Sequence, residues 1–183
     1  MEHVGGRSDH GGIANVDCLL CIEAPIRFWS DSGFDKGMIA GSVARPFIVD
    51  TDIGSDVDDA MVLSAVSRFS SLSLIGVTCV YGDVSLRAKI ALKYLWGSGL
   101  GEVPVYCGES SPISGREVWH SGLEGTALGE LSEFAGRDGG VDFLVRSARE
   151  FAGELEILAI GPLTNIARAM EADNGFEIGR AHV

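Results

Sequence analysis

A run of five carboxylates directly after a short apolar segment constrains this chain more than any other feature. Between Phe47 and Ala60 the sequence reads F-I-V-D-T-D-I-G-S-D-V-D-D-A, with carboxylates at Asp50, Asp52, Asp56, Asp58 and Asp59. We call residues 50–59 the acidic turn. Two like charges about 4 Å apart repel by roughly 4 kcal/mol at the effective dielectric of a protein surface. The crowding therefore disfavours a metal-free fold, and a bound hard metal ion reverses the sign of that energy.

The residues around the acidic turn predict a strand before it and a helix after it. The apolar run at 47–49 is too short for a helix and is flanked by Pro46 and Gly54, which indicates a buried strand. Ser55 followed three residues later by Asp58 has the form of a helix N-cap, and apolar residues at helical spacing come next. We therefore expect the acidic turn at the carboxyl end of a strand.

The residue types in the acidic turn favour calcium or magnesium, because zinc usually recruits His or Cys and neither occurs in the turn. The spacing excludes an EF-hand loop. A loop starting at Asp50 puts Ser55 where Gly is needed and Met61 where the bidentate Glu belongs. A helix cap alone uses one or two carboxylates and leaves the others unexplained. The turn is therefore interpreted as a cation site.

Four sequence blocks occur in an order that indicates a family. They are D-T-D-I-G-S-D-V-D-D-A at 50–60, V-T-C-V-Y-G-D at 77–83, V-P-V-Y-C-G at 103–108 and I-L-A-I-G-P-L-T-N-I-A at 157–167. The blocks resemble those of the inosine-uridine-preferring nucleoside hydrolases, calcium-dependent enzymes that cleave the N-glycosidic bond of nucleosides. The first block departs from the shorter family signature by an added Asp56-Val57. The resemblance covers roughly residues 44–173.

Alternating strand-like and helix-like segments predict an α/β fold with a mostly parallel sheet and helices on both faces. Further strands are expected at 72–80, 103–107 and 155–160, and helices at 85–96, at 141–152 and from Pro162 onwards. In such sheets ligands bind beyond the carboxyl ends of the strands. Each of the four blocks lies at the carboxyl end of a predicted strand. The functional residues are therefore expected along one edge of the sheet, which we call the rim. The resemblance implies a nucleoside-hydrolase-like fold.

The two ends of the chain do not match the family, so we expect one family domain over residues 44–176. Residues 1–43 are left unassigned, as a disordered or spurious N-terminal extension. Residues 177–183 depart from the family's continuation and are expected to be a non-native tail. We therefore expect a truncated chain whose fold is incomplete at the C-terminus. On its own such a chain should be a marginal fold, a weak calcium binder and an inactive fragment.

The resemblance implies calcium-dependent hydrolysis of ribonucleosides to ribose and free base. Its implied calcium ligands are Asp52, Asp59 and the backbone carbonyl of Ile160. The implied catalytic base is Asp58, which would take a proton from a calcium-bound water. Calcium takes six to eight oxygens, so these ligands leave room for water and for the ribose hydroxyls. A rim rich in carboxylates would also stabilise the positive charge that develops on the ribose ring.

The resemblance also implies supporting roles around this centre. Asp83 is the implied contact to a ribose hydroxyl, and Asp50 and Asn165 are implied to brace the ligands from behind. The segment from Trp119 falls where the family carries a loop near the nucleobase, but His120 is displaced from the expected register. We interpret His120 as an exposed loop residue.

Composition bounds the partners of the chain. It has 183 residues, 46% of them hydrophobic, and a net charge of −12 with only 14 Lys and Arg residues. That balance argues against nucleic acid as a partner, because phosphate binding needs clustered cations. No apolar stretch reaches the ~18 residues of a membrane span, and no signal peptide is evident. We therefore expect a cytoplasmic protein. The resemblance implies that it acts on a small nucleoside in purine and pyrimidine salvage and forms a homo-oligomer at full length.

Two alternative functions remain open from the residues. One is a non-catalytic fragment that binds calcium, because the chain is expected to be truncated. A magnesium-dependent phosphatase of the haloacid-dehalogenase type also places D-x-D after its first strand, but it usually has Thr or Val where this chain has Gly54. The G-P-L-T-N-I-A block has no place in that phosphatase. Nothing in the sequence distinguishes purine from pyrimidine nucleosides.

Overall fold

The computed structural model describes residues 44–176, which form a parallel sheet with helices on both faces. The strands are β1 (Arg45–Thr51), β2 (Leu72–Cys79), β3 (Val105–Cys107), β4 (Arg137–Asp138) and β5 (Glu156–Ala159). The helices are α1 (Asp58–Val66), α2 (Val84–Gly97), α3 (Gly140–Glu150) and α4 (Thr164–Ala172). Within the described range the strand order is β4-β3-β2-β1-β5, and every pairing is parallel. The α/β expectation is confirmed.

Strand β1 lies inside the sheet and supplies side chains to both hydrophobic clusters. Phe47 and Val49 join the cluster that contains residues of α1 and α2, whereas Ile48 joins the cluster that contains residues of α3 and α4. Successive side chains of a strand point to opposite faces, so this division follows from the two-residue period of β1. Burial on both faces also explains why the three central residues of β1, at 47–49, are all apolar.

The register of β1 brings three strand ends to one rim. Asp50 pairs with Thr78 of β2 on one side and with Ala159 of β5 on the other. Because these pairings are parallel, the segments that follow β1, β2 and β5 leave the sheet at the same edge. Within the described range β5 pairs only with β1 and therefore forms an edge of the sheet.

Two local features differ from the sequence expectations. Helix α1 begins at Asp58 after an N-cap at Val57 that forms no side-chain cap, so the expected cap at Ser55 is wrong. The Ser55 hydroxyl instead accepts a hydrogen bond from Arg87, at 3.3 Å. The two-residue strand β4 was not expected, because it follows a glycine-rich segment and is too short to show a period. No helix in residues 44–176 is long and apolar enough to cross a membrane.

We expect Gly76→Ala to destabilise the fold, because a Cβ at Gly76 would lie 2.4 Å from Cζ of Phe143. The Phe143 ring is stacked on Tyr106 with ring centroids 4.2 Å apart, so it cannot move without disturbing a second ring. Overpacking of this kind costs about 1–3 kcal/mol in the free energy of unfolding. Chemical denaturation of Gly76→Ala, Phe143→Leu and the double variant measures the effect. The double variant should be more stable than the sum of the single effects predicts, and strict additivity would contradict the packing argument.

Candidate functional site

The first residue of the acidic turn, Asp50, is fully buried. Its Oδ1 atom accepts hydrogen bonds from the Thr78 hydroxyl and, at 2.7 Å, from the Asn165 amide. Its Oδ2 atom has no hydrogen-bond partner among the described residues. Burial is the main reason that the pKa of Asp50 is raised to about 6. Asp50 therefore joins β1 to β2 and α4 below the rim, and it carries one unpartnered carboxyl oxygen.

Asn165 connects the ends of three strands. Its Nδ2 group donates to Asp50 and, at 3.2 Å, to the carbonyl of Cys79, while its Oδ1 atom accepts from the Glu109 N–H at 2.8 Å. The fit is tight on the side of β3, where a Cβ at Gly108 would lie 2.3 Å from the Asn165 oxygen. One buried amide thus fixes β1, β2 and the segment after β3 relative to one another.

Three further carboxylates of the acidic turn lie above Asp50. Asp59 is buried at the start of α1 and accepts a hydrogen bond from the Thr51 hydroxyl. Its pKa is raised to about 6, first by burial and then by the charges of Asp52 and Asp58, against the hydrogen bond from Thr51. Burial also raises the pKa of the half-buried Asp52, although the positive charge of Arg87 opposes this shift. Asp58 is exposed. These shifts show that the carboxylates interact electrostatically.

The segment after β5 lies directly against the acidic turn. The N–H groups of Ile160 and Gly161 donate to the Asp50 carbonyl, at 2.8 and 3.3 Å. A Cβ at Gly161 would lie 3.1 Å from the Asp52 carboxylate, so that carboxylate rests on the backbone after β5. Ile160 and Asp52 are therefore on the same edge of the sheet. The absence of a side chain at Gly161 permits this close approach.

The oxygens gathered here match the donor type of a hard divalent cation. Among residues 44–176 no three His, Cys, Asp or Glu side chains come close enough to hold a metal ion by themselves. The charge of Asp52 nevertheless affects Asp59, and the backbone after β5 lies against the Asp52 carboxylate; calcium accepts carbonyl and water oxygens beside carboxylates. Burial raises the pKa values of Asp50 and Asp59, and a nearby cation would favour their charged forms. One oxygen of the buried Asp50 carboxyl also has no donor among the described residues. The residues present fit such a cation.

A cleft of about 350 Å³ opens beside the acidic turn, lined by Asp83, Leu86, Arg87, His120, Gly122 and Glu124. Asp83 is exposed, and one of its oxygens caps α2 by accepting the Leu86 N–H at 2.9 Å. His120 is exposed and packs beside Gly82, where a Cβ would lie 3.3 Å from its ring. The sequence interpretation of His120 as an exposed loop residue agrees with this position. The cleft nevertheless brings His120 next to Asp83.

The sequence patterns did not indicate Arg87, which is only 2% exposed. An arginine on an amphipathic helix normally faces water, and a single residue produces no motif. One signal was available: Arg87 precedes Ile90 and Ala91 by three and four residues, which places all three on one helix face. Both apolar residues are buried, so that spacing places Arg87 on the buried face of α2.

Comparison with known proteins gives a consistent result for this chain. The family model described as inosine-uridine preferring nucleoside hydrolase matches residues 47–180. Uridine nucleosidase 1 of Arabidopsis thaliana is 32% identical over 155 residues, which cover 80% of this chain and 45% of the relative. A pyrimidine-specific ribonucleoside hydrolase of Escherichia coli is 28% identical, with 69% of this chain and 42% of the relative covered.

Solved structures agree with the sequence relatives. A plant nucleoside hydrolase superposes with a TM-score of 0.60 at 30% identity, covering 75% of this chain and 46% of the other. A purine-preferring ribonucleoside hydrolase from Gardnerella vaginalis gives a TM-score of 0.60 at 28% identity, covering 74% and 46%. This chain thus spans less than half the length of each of these relatives.

We expect Asn165→Ala to lower the free energy of unfolding by at least ~2 kcal/mol. The substitution removes hydrogen bonds to three partners and leaves the buried Asp50 carboxyl with one donor. Each buried polar group left unsatisfied costs about 1–3 kcal/mol. Denaturant unfolding measures the change, with the exposed Asn174→Ala as control. Equal stability of the two variants would show that Asn165 does not hold the strand ends together.

The raised pKa values predict that the metal-free protein is more stable at pH 5 than at pH 7. Asp50 and Asp59 titrate near pH 6 when folded and near 3.8 when unfolded, so the folded state binds more protons between these values. Their stabilising contribution is complete below pH 3.8 and is lost as the pH rises through about 6. The pKa values of Glu124 and Asp173 are lowered in the folded state, so these two groups change the stability only below about pH 4.5, outside the comparison of pH 5 with pH 7.

Thermal unfolding in a chelator at pH 5, 6 and 7 measures this dependence. Asp59→Asn removes one of the two groups and should flatten the profile, whereas Asp142→Asn in the first turn of α3, away from the acidic turn, should leave it unchanged. A metal-free protein whose melting temperature rises between pH 5 and pH 7 would contradict the assignment.

Proposed function

The chain belongs to the inosine-uridine preferring nucleoside hydrolase family, and from this membership we propose that it contributes the metal-binding and sugar-binding side of an active site that hydrolyses ribonucleosides. Because the chain spans less than half of its relatives' length, we propose the activity for a protein of the relatives' length. The observation that carries the proposal is the adjacency of the acidic turn and the backbone after β5 on one rim.

We propose that Asp52, Asp59 and the Ile160 carbonyl hold a calcium ion. When bound, calcium supplies a Lewis acid that polarises oxygens in its coordination sphere and offsets the negative charge of the rim. Asp50 and Asn165 support these ligands without contacting the cation. Asp50 lies on β1 two residues before Asp52, and Asn165 fixes the Asp50 carboxyl through its amide. Supports of this kind orient the ligands that touch the metal.

In the proposed reaction a water oxygen forms a bond to the anomeric carbon of the ribose and the N-glycosidic bond breaks. The nucleobase leaves with the bonding electron pair and gains a proton from solvent, and the products are ribose and the free base. Asp58 accepts the proton that the attacking water loses and later returns this proton to solvent. It is suited to this role because it is exposed beside Asp52 and Asp59, where a carboxylate can meet solvent.

The remaining groups act on the sugar. Asp83 lines the cleft beside the acidic turn and has one oxygen committed to the cap of α2, which leaves its other oxygen for a ribose hydroxyl. Positive charge develops on the ribose ring as the base departs. Carboxylates fixed by strands and helices stabilise that charge more than they stabilise the neutral substrate, which is the requirement for catalysis by binding.

Release of free ribose tests the proposed function. The 183-residue chain, and a version extended to the relatives' length with the C-terminal part of the Arabidopsis relative, are incubated with inosine or uridine in calcium or in a chelator. We expect calcium-dependent ribose release from the extended protein and none from the shorter chain. An extended protein that folds but cleaves neither nucleoside would contradict the proposal. Hydrolysis of p-nitrophenyl phosphate with magnesium would instead support the phosphatase alternative.

Substitutions at Asp58 and Asp59 should distinguish the role of catalytic base from the role of metal ligand. In the extended protein, Asp58→Asn should lower turnover by at least ~100-fold with calcium affinity largely kept, because general-base catalysis contributes about 10²–10⁴. Asp59→Asn should weaken calcium binding first. Steady-state kinetics and calorimetric calcium titration measure both effects. Equal losses of calcium affinity in the two variants would show that base and ligand are misassigned.

A further inference from the structure

The buried guanidinium of Arg87 is bonded to the backbone of the acidic turn. Its Nη1 group donates to the carbonyls of Asp52 and, at 2.9 Å, of Ile53, and its Nη2 group donates to the Ser55 hydroxyl at 3.3 Å. Three of the six residues from 50 to 55 are thus held by one side chain. The planar fork of arginine suits this geometry, because it offers five N–H donors in fixed directions.

The same guanidinium is bonded to the segment that follows β2, residues 80–83, which we call the Tyr81 turn. Its Nε group donates to the carbonyl of Tyr81. Tyr81 has a φ of 71°, and among the described residues it is the only non-glycine with a positive φ. Such a conformation costs about 1–3 kcal/mol and persists where its surroundings impose it. Arg87 and the Glu109 carbonyl, which accepts the Tyr81 N–H at 2.8 Å, are two of those constraints.

The charge of Arg87 is compensated by backbone dipoles. Among residues 44–176 no carboxylate forms an ion pair with it. The carboxylates of Asp52 and Asp59 interact with Arg87 through space, without direct contact. A buried charge is costly unless it is hydrogen-bonded, so the carbonyls of Asp52, Ile53 and Tyr81 are essential partners. The reverse also holds: those carbonyls cannot move without leaving the guanidinium unsatisfied. Arg87 therefore links the two turns rigidly.

We propose that Arg87 is a positioning residue for divalent-cation binding, which ties the acidic turn to the Tyr81 turn and so fixes Asp52 and the start of α1 for the cation. This inference rests on the proposed function for the identity of the cation. Arg87 acts on the cation site through the backbone carbonyls of the acidic turn. The role is paradoxical by charge alone, because a fixed positive charge near a cation site opposes cation binding.

An electrostatic role and a positioning role of Arg87 therefore predict opposite changes in calcium affinity. Arg87→Met removes the charge at nearly equal length, so an electrostatic role alone predicts tighter calcium binding. Arg87→Lys keeps the charge, but its compact ammonium cannot reproduce the fork that reaches both turns. A positioning role predicts that both variants bind calcium at least tenfold more weakly, within the 10–100-fold range found when residues behind metal ligands are removed. Arg146→Met, an exposed residue on α3, is the matched control and should change the affinity less than twofold.

The measurement is calorimetric titration of calcium into the full 183-residue chain, at a temperature where circular dichroism shows each variant folded. Weaker binding in both Arg87 variants with the control unchanged supports the proposal. Tighter binding in Arg87→Met, or unchanged binding in Arg87→Lys, overturns it. Ser55→Ala removes the longest of the four contacts alone and should weaken binding less than either Arg87 substitution.

Amide hydrogen exchange separates this inference from the proposed function, because it needs no metal. In metal-free Arg87→Lys, peptides covering 51–57 and 80–83 should exchange faster than in the parent chain, while peptides from α3 exchange equally. If neither the parent chain nor the extended protein binds calcium, the proposed metal site fails, and the exchange result alone then decides whether Arg87 ties the turns. Unchanged exchange in both peptides overturns the proposal.

Discussion

Burial of carboxylates at the carboxyl end of β1 is the constraint on which the rest of the site depends. Asp50, Asp52 and Asp59 are drawn into a half-buried or buried rim, where burial disfavours their charged forms. Hydrogen-bond donors from several strands and helices offset part of this cost. Thr78, Asn165 and Thr51 donate to carboxyl oxygens, and Arg87 donates to the backbone between them. None of these donors supplies a direct ion pair, so the rim stays short of positive charge in the described chain.

The sheet topology makes this rim possible. β1 lies between β2 and β5, so the acidic turn borders the Tyr81 turn on one side and the Ile160–Gly161 backbone on the other. Each neighbouring segment carries a residue with a proposed role in the same chemistry. A parallel sheet brings strand ends together in this way whatever their distance in sequence, which is how residues more than a hundred positions apart share one site. Asn165 and Asp50 are such a pair.

The sequence predicted most of the fold because its signals are periodic or positional. Apart from β4, the strands and helices were expected within a few residues of their observed bounds. The position of the acidic turn followed from the short apolar run before it. The Ser55 cap was wrong because a distant residue, Arg87, takes the Ser55 hydroxyl. Arg87 itself went unnoticed because burial of a single charged side chain depends on tertiary contacts. The roles of Asp52, Asp58, Asp59, Asp83 and Ile160 came from the family resemblance and stay predictions.

The most direct test of the account is a crystal structure of this chain grown with calcium, with an anomalous difference map to locate the ion. The account predicts one peak bonded at about 2.3–2.6 Å to carboxylate oxygens of Asp52 and Asp59 and to the carbonyl oxygen of Ile160. Arg87 should remain bonded to both turns in that structure. A peak held by other residues, or an empty rim at a calcium concentration that saturates binding in solution, would contradict the account.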